Sequence, residues 1–396
     1  MTEWKECKIA DLGTVIGGAT PSTKNAANYE NGTIAWITPK DLSTFTGRYI
    51  QRGERNITEI GLKSCSTQLL PTNSVLFSSR APIGYIAIAA NEVCTNQGFK
   101  SVIPNDDTDP LFLYYLLKYN KDKIESMGSG TTFKEISGNT MKSISVRVPK
   151  DVSVQKRISA VLGMIDDKIE ENERINDNLQ QQVLAMYRNK FIETTNAERT
   201  ICRSDEFFDI SIGKTPSRKE SQWFSNNPED VTWVSISDMG SCGLYIRKSS
   251  ERLTQEAVKR FNIKVVPDNT VLLSFKLTVG RIAITNGEMT TNEAIAHFKT
   301  DCKNINEYLY CYLRCFNFET MGSTSSIATA VNSKIIKGMP FVVPTNYELK
   351  EFHDIAAPMF AQIKANQNEI YNLTALRDTL LPKLMSGELD VSAIEL

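Results

Sequence analysis

The strongest constraint on this chain is that it is written twice. Thr20-Pro21-Ser22 recurs as Thr215-Pro216-Ser217 at an offset of 195, and Ile34-Ala35-Trp36-Ile37 recurs as Val231-Thr232-Trp233-Val234 at 197. Pro71-Thr72-Asn73-Ser74-Val75-Leu76 returns as Pro267-Asp268-Asn269-Thr270-Val271-Leu272 at 196. The same 196 carries Ile83-Gly84 onto Val279-Gly280 and Thr95-Asn96 onto Thr291-Asn292. Met127-Gly128-Ser129 answers Met321-Gly322-Ser323 at 194, and Val148-Pro149 answers Val343-Pro344 at 195. An offset that drifts by three residues over ~130 positions is a tandem duplication, not a coincidence of common residues. At 396 residues the chain has room for two or three domains, each with its own core.

Both copies read alike. Short β-rich runs such as Ile34–Ile37, Ser74–Ser78 and Tyr85–Ala89 are punctuated by Gly, Pro and Asn turn signals. A compact helical stretch follows, Leu111–Tyr119 in the first copy and Tyr308–Phe316 in the second. A closing strand then runs to a proline, Ser143–Val148 and Met339–Val343. The mixture predicts α/β (mixed α+β) domains of ~145 residues.

Each copy then ends in a long helix. Ile158, Leu162, Ile165 and Ile169 step by four and three, followed by Asn172, Asn176, Leu179, Val183 and Met186. The second copy supplies Phe352, Met359, Ile363, Asn366, Ile370, Leu373, Leu380 and Leu384. An offset of 194 lays Ile363 on Ile169, Asn366 on Asn172 and Leu373 on Leu179. Two apolar seams in one register predict a coiled-coil pair, with the shared Asn setting register at a cost in stability. Antiparallel pairing would create a pseudo-two-fold and hold the two globular domains at opposite ends. From Ile158 to Met186 the helix would span ~43 Å at 1.5 Å per residue, close to the ~34–36 Å of one DNA turn. Gly387 reads as the helix stop, and Pro382 is expected to disturb the last turn already. The expected division is residues 1–150 and 194–346 for the globular domains, with spacer helices over 151–193 and 347–396.

Composition narrows the function classes. Overall net charge is −1, but it is unevenly spread: +3 over residues 1–150, −2 over 151–199, +2 over 200–345 and −4 over 346–396. This permits DNA binding by two lobes, with strong affinity needing a more basic partner. No apolar run reaches the ~18 residues of a membrane helix, and the polar start Met1 to Ala10 carries no export pattern. Eight cysteines without CxxC pairs fit reduced, cytosolic thiols. Cys302, Cys311 and Cys315 lie near one another in sequence, yet with two histidines in the chain they read as small buried residues, and no metal is expected.

Catalytic motifs are missing. Gly213-Lys214-Thr215 resembles the end of a phosphate loop, but Phe208 stands where its first glycine belongs, and the partner Gly18-Ala19-Thr20 lacks the lysine. No Asn/Asp-Pro-Pro-Tyr/Phe stretch occurs, Asn227-Pro228-Glu229 being the nearest, and no GxGxxG follows a strand. His297 and His353 read as structural, and Asp166-Asp167 as a solvated pair on a charged helix face.

The motifs together resemble the specificity subunits of type I restriction-modification systems over nearly the whole chain. The match comprises Gly18 with Thr20-Pro21-Ser22, Trp36 with Lys40-Asp41-Leu42, and Ile57-Thr58-Glu59 with Gly61-Leu62. It continues through Leu70-Pro71, Ser78-Ser79-Arg80-Ala81-Pro82-Ile83-Gly84, Thr95-Asn96-Gln97-Gly98-Phe99, and Gly128-Ser129 leading to Phe133. The closing stretch from Leu376-Arg377 through Leu380-Leu381-Pro382-Lys383-Leu384-Met385-Ser386-Gly387-Glu388-Leu389 is also similar to the family's. Departures are Val154-Gln155 and Leu349-Lys350 for the acidic-Gln pair opening each helix, and Ser274-Phe275-Lys276-Leu277-Thr278-Val279-Gly280 for the arginine loop. The resemblance implies two target-recognition domains, each reading one half of a bipartite site in double-stranded DNA, separated by antiparallel helices. It also implies two methyltransferase subunits and two restriction/motor subunits as partners. S-adenosylmethionine, ATP and magnesium would then belong to those partners, with no cofactor and no catalytic residue here, in a cytoplasmic complex.

If the copies read different half-sites, shared positions build the frame or hold phosphates, and unmatched loop residues read bases. Arg80 and Lys276, aligned at 196, keep positive charge amid changed neighbours and suit a phosphate or a guanine edge. Lys24 faces Arg218 and Lys219; the stretch from Arg48 faces the one holding Arg247. Ser129, Thr131, Thr132 and Lys134 answer Ser323, Thr324 and Ser325 as hydroxyl-rich turns. Lys40, Ser79, Asn96, Lys214, Thr278 and Asn292 complete the set of DNA-facing candidates. The rival readings are a stand-alone DNA-modifying enzyme and a repeat scaffold for another ligand.

Overall fold

The structure is a computed structural model that describes residues 2–130, 134–194, 196, 199–321 and 331–391. It is mixed α/β and divides into two units, residues 1–170 with 372–396, and residues 171–371. Each contains one copy of the repeat.

In the first unit the copy is closed by its own ends. Trp4–Lys8 pairs antiparallel with Ser145–Pro149, so the first and last strands of the repeat lie side by side. Between them runs a five-stranded sheet in the order Gly13–Gly17, Lys100–Pro104, Val75–Ser79, Ile83–Ala89, Tyr49–Ile50. A smaller sheet orders Arg55–Ile57, Ile34–Ile37 and Val93–Thr95. Pro110–Tyr119 covers the larger sheet; Asp109 caps it through the Phe112 amide at 2.8 Å, with Pro110 at its first turn. Phe112, Leu113, Tyr115, Leu116 and Leu117 are buried against Val75, Phe77 and Ile88.

The second unit repeats this plan. Thr200–Arg203 pairs antiparallel with Pro340–Val343. Its five-stranded sheet runs Asp209–Ile212, Ile295–Lys299, Val271–Ser274, Ile282–Thr285, Tyr245–Ile246, the same order at the same offset. Asn306–Cys315 is the covering helix. Its core is more aromatic: Tyr187, Phe191, Tyr308, Phe341 and Phe352 meet edge-on, with centroids 4.8–6.0 Å apart. Cys311 is buried in this core, and Cys302 and Cys315 pack at its margin. Among the described residues no group of three His, Cys, Asp or Glu side chains converges on a point.

The long helices are Val152–Tyr187, which continues as a π-turn over Arg188–Glu193, and Asn346–Ser386. In the first unit Ile158, Leu162 and Ile169 are buried, Ile165, Leu373 and Leu380 half-buried. Leu381, Leu384 and Met385 from the second helix share the core of Ile158 and Leu162. A leucine as fully enclosed as Leu162 contributes about 2–3 kcal/mol. In the second unit Ile363 is buried, Leu179, Met359 and Ile370 half-buried, and the seam turns polar. There Asn172 donates to Glu369 at 2.8 Å and Asn366 to Asn176 at 2.9 Å, and Lys190 pairs with Glu351. Partners fall on one helix as they rise on the other, so this pair is antiparallel.

Two expectations need correction. Pro382 does not break the second helix, which runs on to Ser386. Pro382 is exposed, and the buried Leu381, Leu384 and Met385 on either side of it hold the helix to the core. The stop comes at Gly387, with φ +78° and the Leu389 amide reaching back to the Lys383 carbonyl. Asp166 is not solvated either. It is 4% exposed, accepts the Tyr115 hydroxyl at 2.6 Å and the Arg377 guanidinium at 2.8 Å, and ties both helices to the first unit. The helix pattern marks this position as polar but cannot show that Tyr115 and Arg377 meet it. No helix among the described residues is long and apolar enough to cross a membrane.

Candidate nucleic-acid interface

Each unit presents a hairpin loop between the third and fourth strands of its larger sheet, in the order given above. In the first, Ser78 Oγ donates to the Pro82 carbonyl at 2.8 Å and accepts the Tyr85 amide at 2.7 Å. In the second, Ser274 Oγ donates to the Thr278 carbonyl at 2.6 Å and accepts the Arg281 amide at 3.0 Å. Donor, acceptor and amide correspond one for one at 196. Both serines are fully buried and use their hydroxyls completely. Positive φ falls at matched places in both loops: Ala81 has φ +50° and Leu277 φ +60°, then Gly84 φ +96° and Gly280 φ +90°. The Ala81–Pro82 peptide is cis. A leucine in the left-handed region costs about 1–2 kcal/mol, and Leu277, 98% exposed, recovers nothing by packing.

Behind each loop lies a shared frame. Gly18 and Gly213 press on the strand opposite, where an added Cβ would come within 2.2 Å of the Asn96 and Asn292 carbonyls respectively. Trp36 Nε1 donates to the Ala19 carbonyl and Trp233 Nε1 to that of Lys214, both at 3.2 Å. Asn96 Oδ1 accepts the Gly98 amide at 2.9 Å and Asn292 Oδ1 that of Ala294 at 3.1 Å. Ser79 and Phe275 then bond through their amides to the Gly98 and Ala294 carbonyls. Thr20 meets Gln97, and Thr215 meets Glu293. The residues common to both copies thus build turns.

The structure brings one group of candidates together. Ser79, Arg80, Ser129 and Lys134 gather around Glu135, whose backbone bridges both Arg80 and Ser129. Its carboxylate lies 3.5 Å from Arg80 and from Lys100, leaving this surface a net positive corner. Ser79 itself is buried, donating to Gly98 at 3.1 Å. Lys276 and Thr278 flank Leu277 on the second loop, both exposed. Lys24 and Lys219 are exposed, Lys40 pairs with Glu54 at 2.7 Å, and Lys214 Nζ binds the Phe261 carbonyl at 2.8 Å. Arg218 grips Glu251 with two bonds of 2.7 and 2.8 Å and lies over Phe224 and Trp233. Arg247 is bonded to Asn368 at 3.0 Å and stacked on Tyr371 of the second long helix. Thr131, Thr132, Ser323, Thr324 and Ser325 fall outside the described residues.

Arg48 leaves the candidate set. It is 4% exposed, with Nε 2.9 Å from Glu170, Nη1 3.3 Å from the Gly163 carbonyl and Nη2 paired with Asp167. Burial opposes its charge, but the bonds to Glu170 and Asp167 outweigh that and hold it more firmly protonated than a free arginine. Its amide also donates to Glu170 at 3.0 Å. At an offset of 197, Gln367 takes the Tyr245 amide at 2.9 Å. Sequence reading missed Glu170 and Gln367 as fasteners between helix and sheet; their matched spacing was the available signal. Elsewhere His297 is enclosed between Ser211 (3.0 Å) and Thr291 (2.7 Å), and burial, aided by Lys299, pushes it down to about 3. His353 pairs with Glu307 at 3.0 Å.

Residues 1–181 and 198–374 match the family described as "Type I restriction modification DNA specificity domain", once in each half. Over 99% of its length the chain is 33% identical to the "Type I restriction enzyme MjaIX specificity subunit" of Methanocaldococcus jannaschii, covering 95% of that protein. It is 33% identical to the EcoR124I/EcoR124II specificity subunit of Escherichia coli over 123 residues, 29% of this chain and 28% of that one. Its fold resembles the type I restriction-modification S subunit from M. genitalium, with a TM-score of 0.60 at 15% identity, over 97% of this chain and 96% of that one. A domain matched twice, on a chain whose two units share one sheet order and one loop clamp, leads to a single assignment: the chain belongs to the family of type I restriction-modification specificity subunits.

Proposed function

We propose that the chain reads a bipartite target in double-stranded DNA, one half-site per copy of the repeat. The separation of the half-sites is set by the paired long helices. The domains doing the reading are residues 1–150 and 194–346, and the spacers 151–193 and 347–396. The chain is a non-catalytic cytoplasmic scaffold on which two methyltransferase and two restriction/motor subunits assemble. S-adenosylmethionine, ATP and magnesium act on those partners, and this chain needs neither cofactor nor metal.

The observation that carries this reading is the pair of clamped hairpins. The same two serine bonds clamp both at matched positions, while their tips differ, Arg80-Ala81-Pro82 against Lys276-Leu277-Thr278. A frame kept rigid beneath a changed tip is what two readers of different half-sites require, because preorganised groups lose less entropy on binding. Charge on both tips supports contact with a polyanion. Long-read mapping of modified adenines in cells with and without this gene tests it. A split motif that disappears with the gene is expected; a continuous motif, or none, would overturn the reading.

A further inference from the structure

Leu277 sits on the loop between the third and fourth strands of the second unit's larger sheet. It carries a large apolar side chain, 98% exposed, on a backbone with φ +60° that leucine rarely adopts. Neither packing nor solubility accounts for it. The conformation is nevertheless imposed from below: Ser274 holds both sides of the turn, and the Gly280 amide closes it on the Ser274 carbonyl at 3.0 Å. Lys276 and Thr278 stand on either side, also exposed. A strained, fully presented side chain on a clamped turn is the signature of a contact residue rather than a structural one. The first copy has the same serine clamp with Ala81 at this place, also at positive φ, so the clamp does not require a large residue there.

Leucine neither donates nor accepts hydrogen bonds. Within a base edge its complement is the thymine C5-methyl group, displayed in the major groove. Resting on the DNA-reading role proposed above, we propose that Leu277 reads a thymine methyl in the half-site of the second copy. Lys276 anchors the turn to a neighbouring phosphate. Ser274 is the positioning residue that keeps the leucine forward. At the equivalent position of the first half-site, Ala81 is too short to reach, and recognition there passes to Arg80.

The test uses the full chain assembled with its methyltransferase subunits and a randomised DNA duplex library, selected and sequenced. The native complex is expected to enrich a split motif with thymine favoured at one position of one half. Leu277→Ala should lose that preference about four-fold, the worth of one buried methyl group, and leave the other half untouched. Deoxyuridine at that position, lacking only the methyl, should weaken the native complex about four-fold and the Leu277→Ala complex not at all. Because Leu277 packs against nothing, the variant folds normally. Absence of any split motif would defeat the proposed function itself. A split motif unmoved by Leu277→Ala, altered in both halves, or indifferent to deoxyuridine would defeat this inference alone.

Discussion

Replacing Arg48 by methionine separates a structural arginine from a DNA-facing one. The Arg48 side chain is 5% exposed, Glu170 33% and Asp167 69%. Removing one member of a fully buried ion pair costs about 3–5 kcal/mol. Asp167 is largely hydrated, so its share is at most ~1 kcal/mol. Glu170 keeps the Arg48 amide and some water but loses two guanidinium bonds, and the Gly163 carbonyl loses its donor. The loss is therefore about 2–3 kcal/mol. For a unit of this size that lowers Tm by roughly 5–10 °C. Differential scanning calorimetry of the full chain reads the first quantity. A salt titration of DNA binding, with methyltransferase subunits present, reads the second. Arg48→Met should lower Tm and leave the slope of log K against log salt unchanged. Arg80→Ala should do the opposite, flattening the slope by about one with Tm unmoved. A shallower slope at native Tm for Arg48→Met would refute the assignment, because it would mean that the guanidinium reaches phosphate.

Asn366→Leu should cost about 1–3 kcal/mol by stranding the Asn176 amide in the seam, and adding Asn176→Leu should restore most of it; additive losses in urea melts would contradict the pairing. For His297 the folded value of about 3 lies below the ordinary ~6.5, so the unfolded chain binds the proton first and stability falls as pH drops from about 6.5 towards 3. At pH 5 the penalty is about 2 kcal/mol relative to pH 7, and His297→Asn should remove that part of the dependence; an unchanged pH profile of the urea midpoint would exclude it. Inserting one heptad at matched places in both long helices should change the spacer between half-sites in the modified genome, and a spacer of unchanged length would show that the helices do not set it.

By itself the sequence determined the duplication, the class of fold and the family. These are properties of local pattern: a repeated offset, a strand period interrupted by turn residues, an apolar seam that survives for four heptads. The seam was legible for the same reason, since burial along a helix follows periodicity, and Ile158, Leu162, Ile169 and Ile363 are enclosed as the spacing requires. Hydrogen-bond partners were not legible, because they join residues far apart in the chain. Asp166 and Arg48 read as surface charges and are buried, each satisfied by groups 51 to 211 residues away. Ser78 and Ser274 stood in the aligned motifs as ordinary small residues; only the folded loop shows each hydroxyl bridging both sides of a turn. Leu277 is the clearest case. Its identity is written in the chain, but its exposure and left-handed backbone arise where two strands of a sheet meet, and tertiary structure alone decides that.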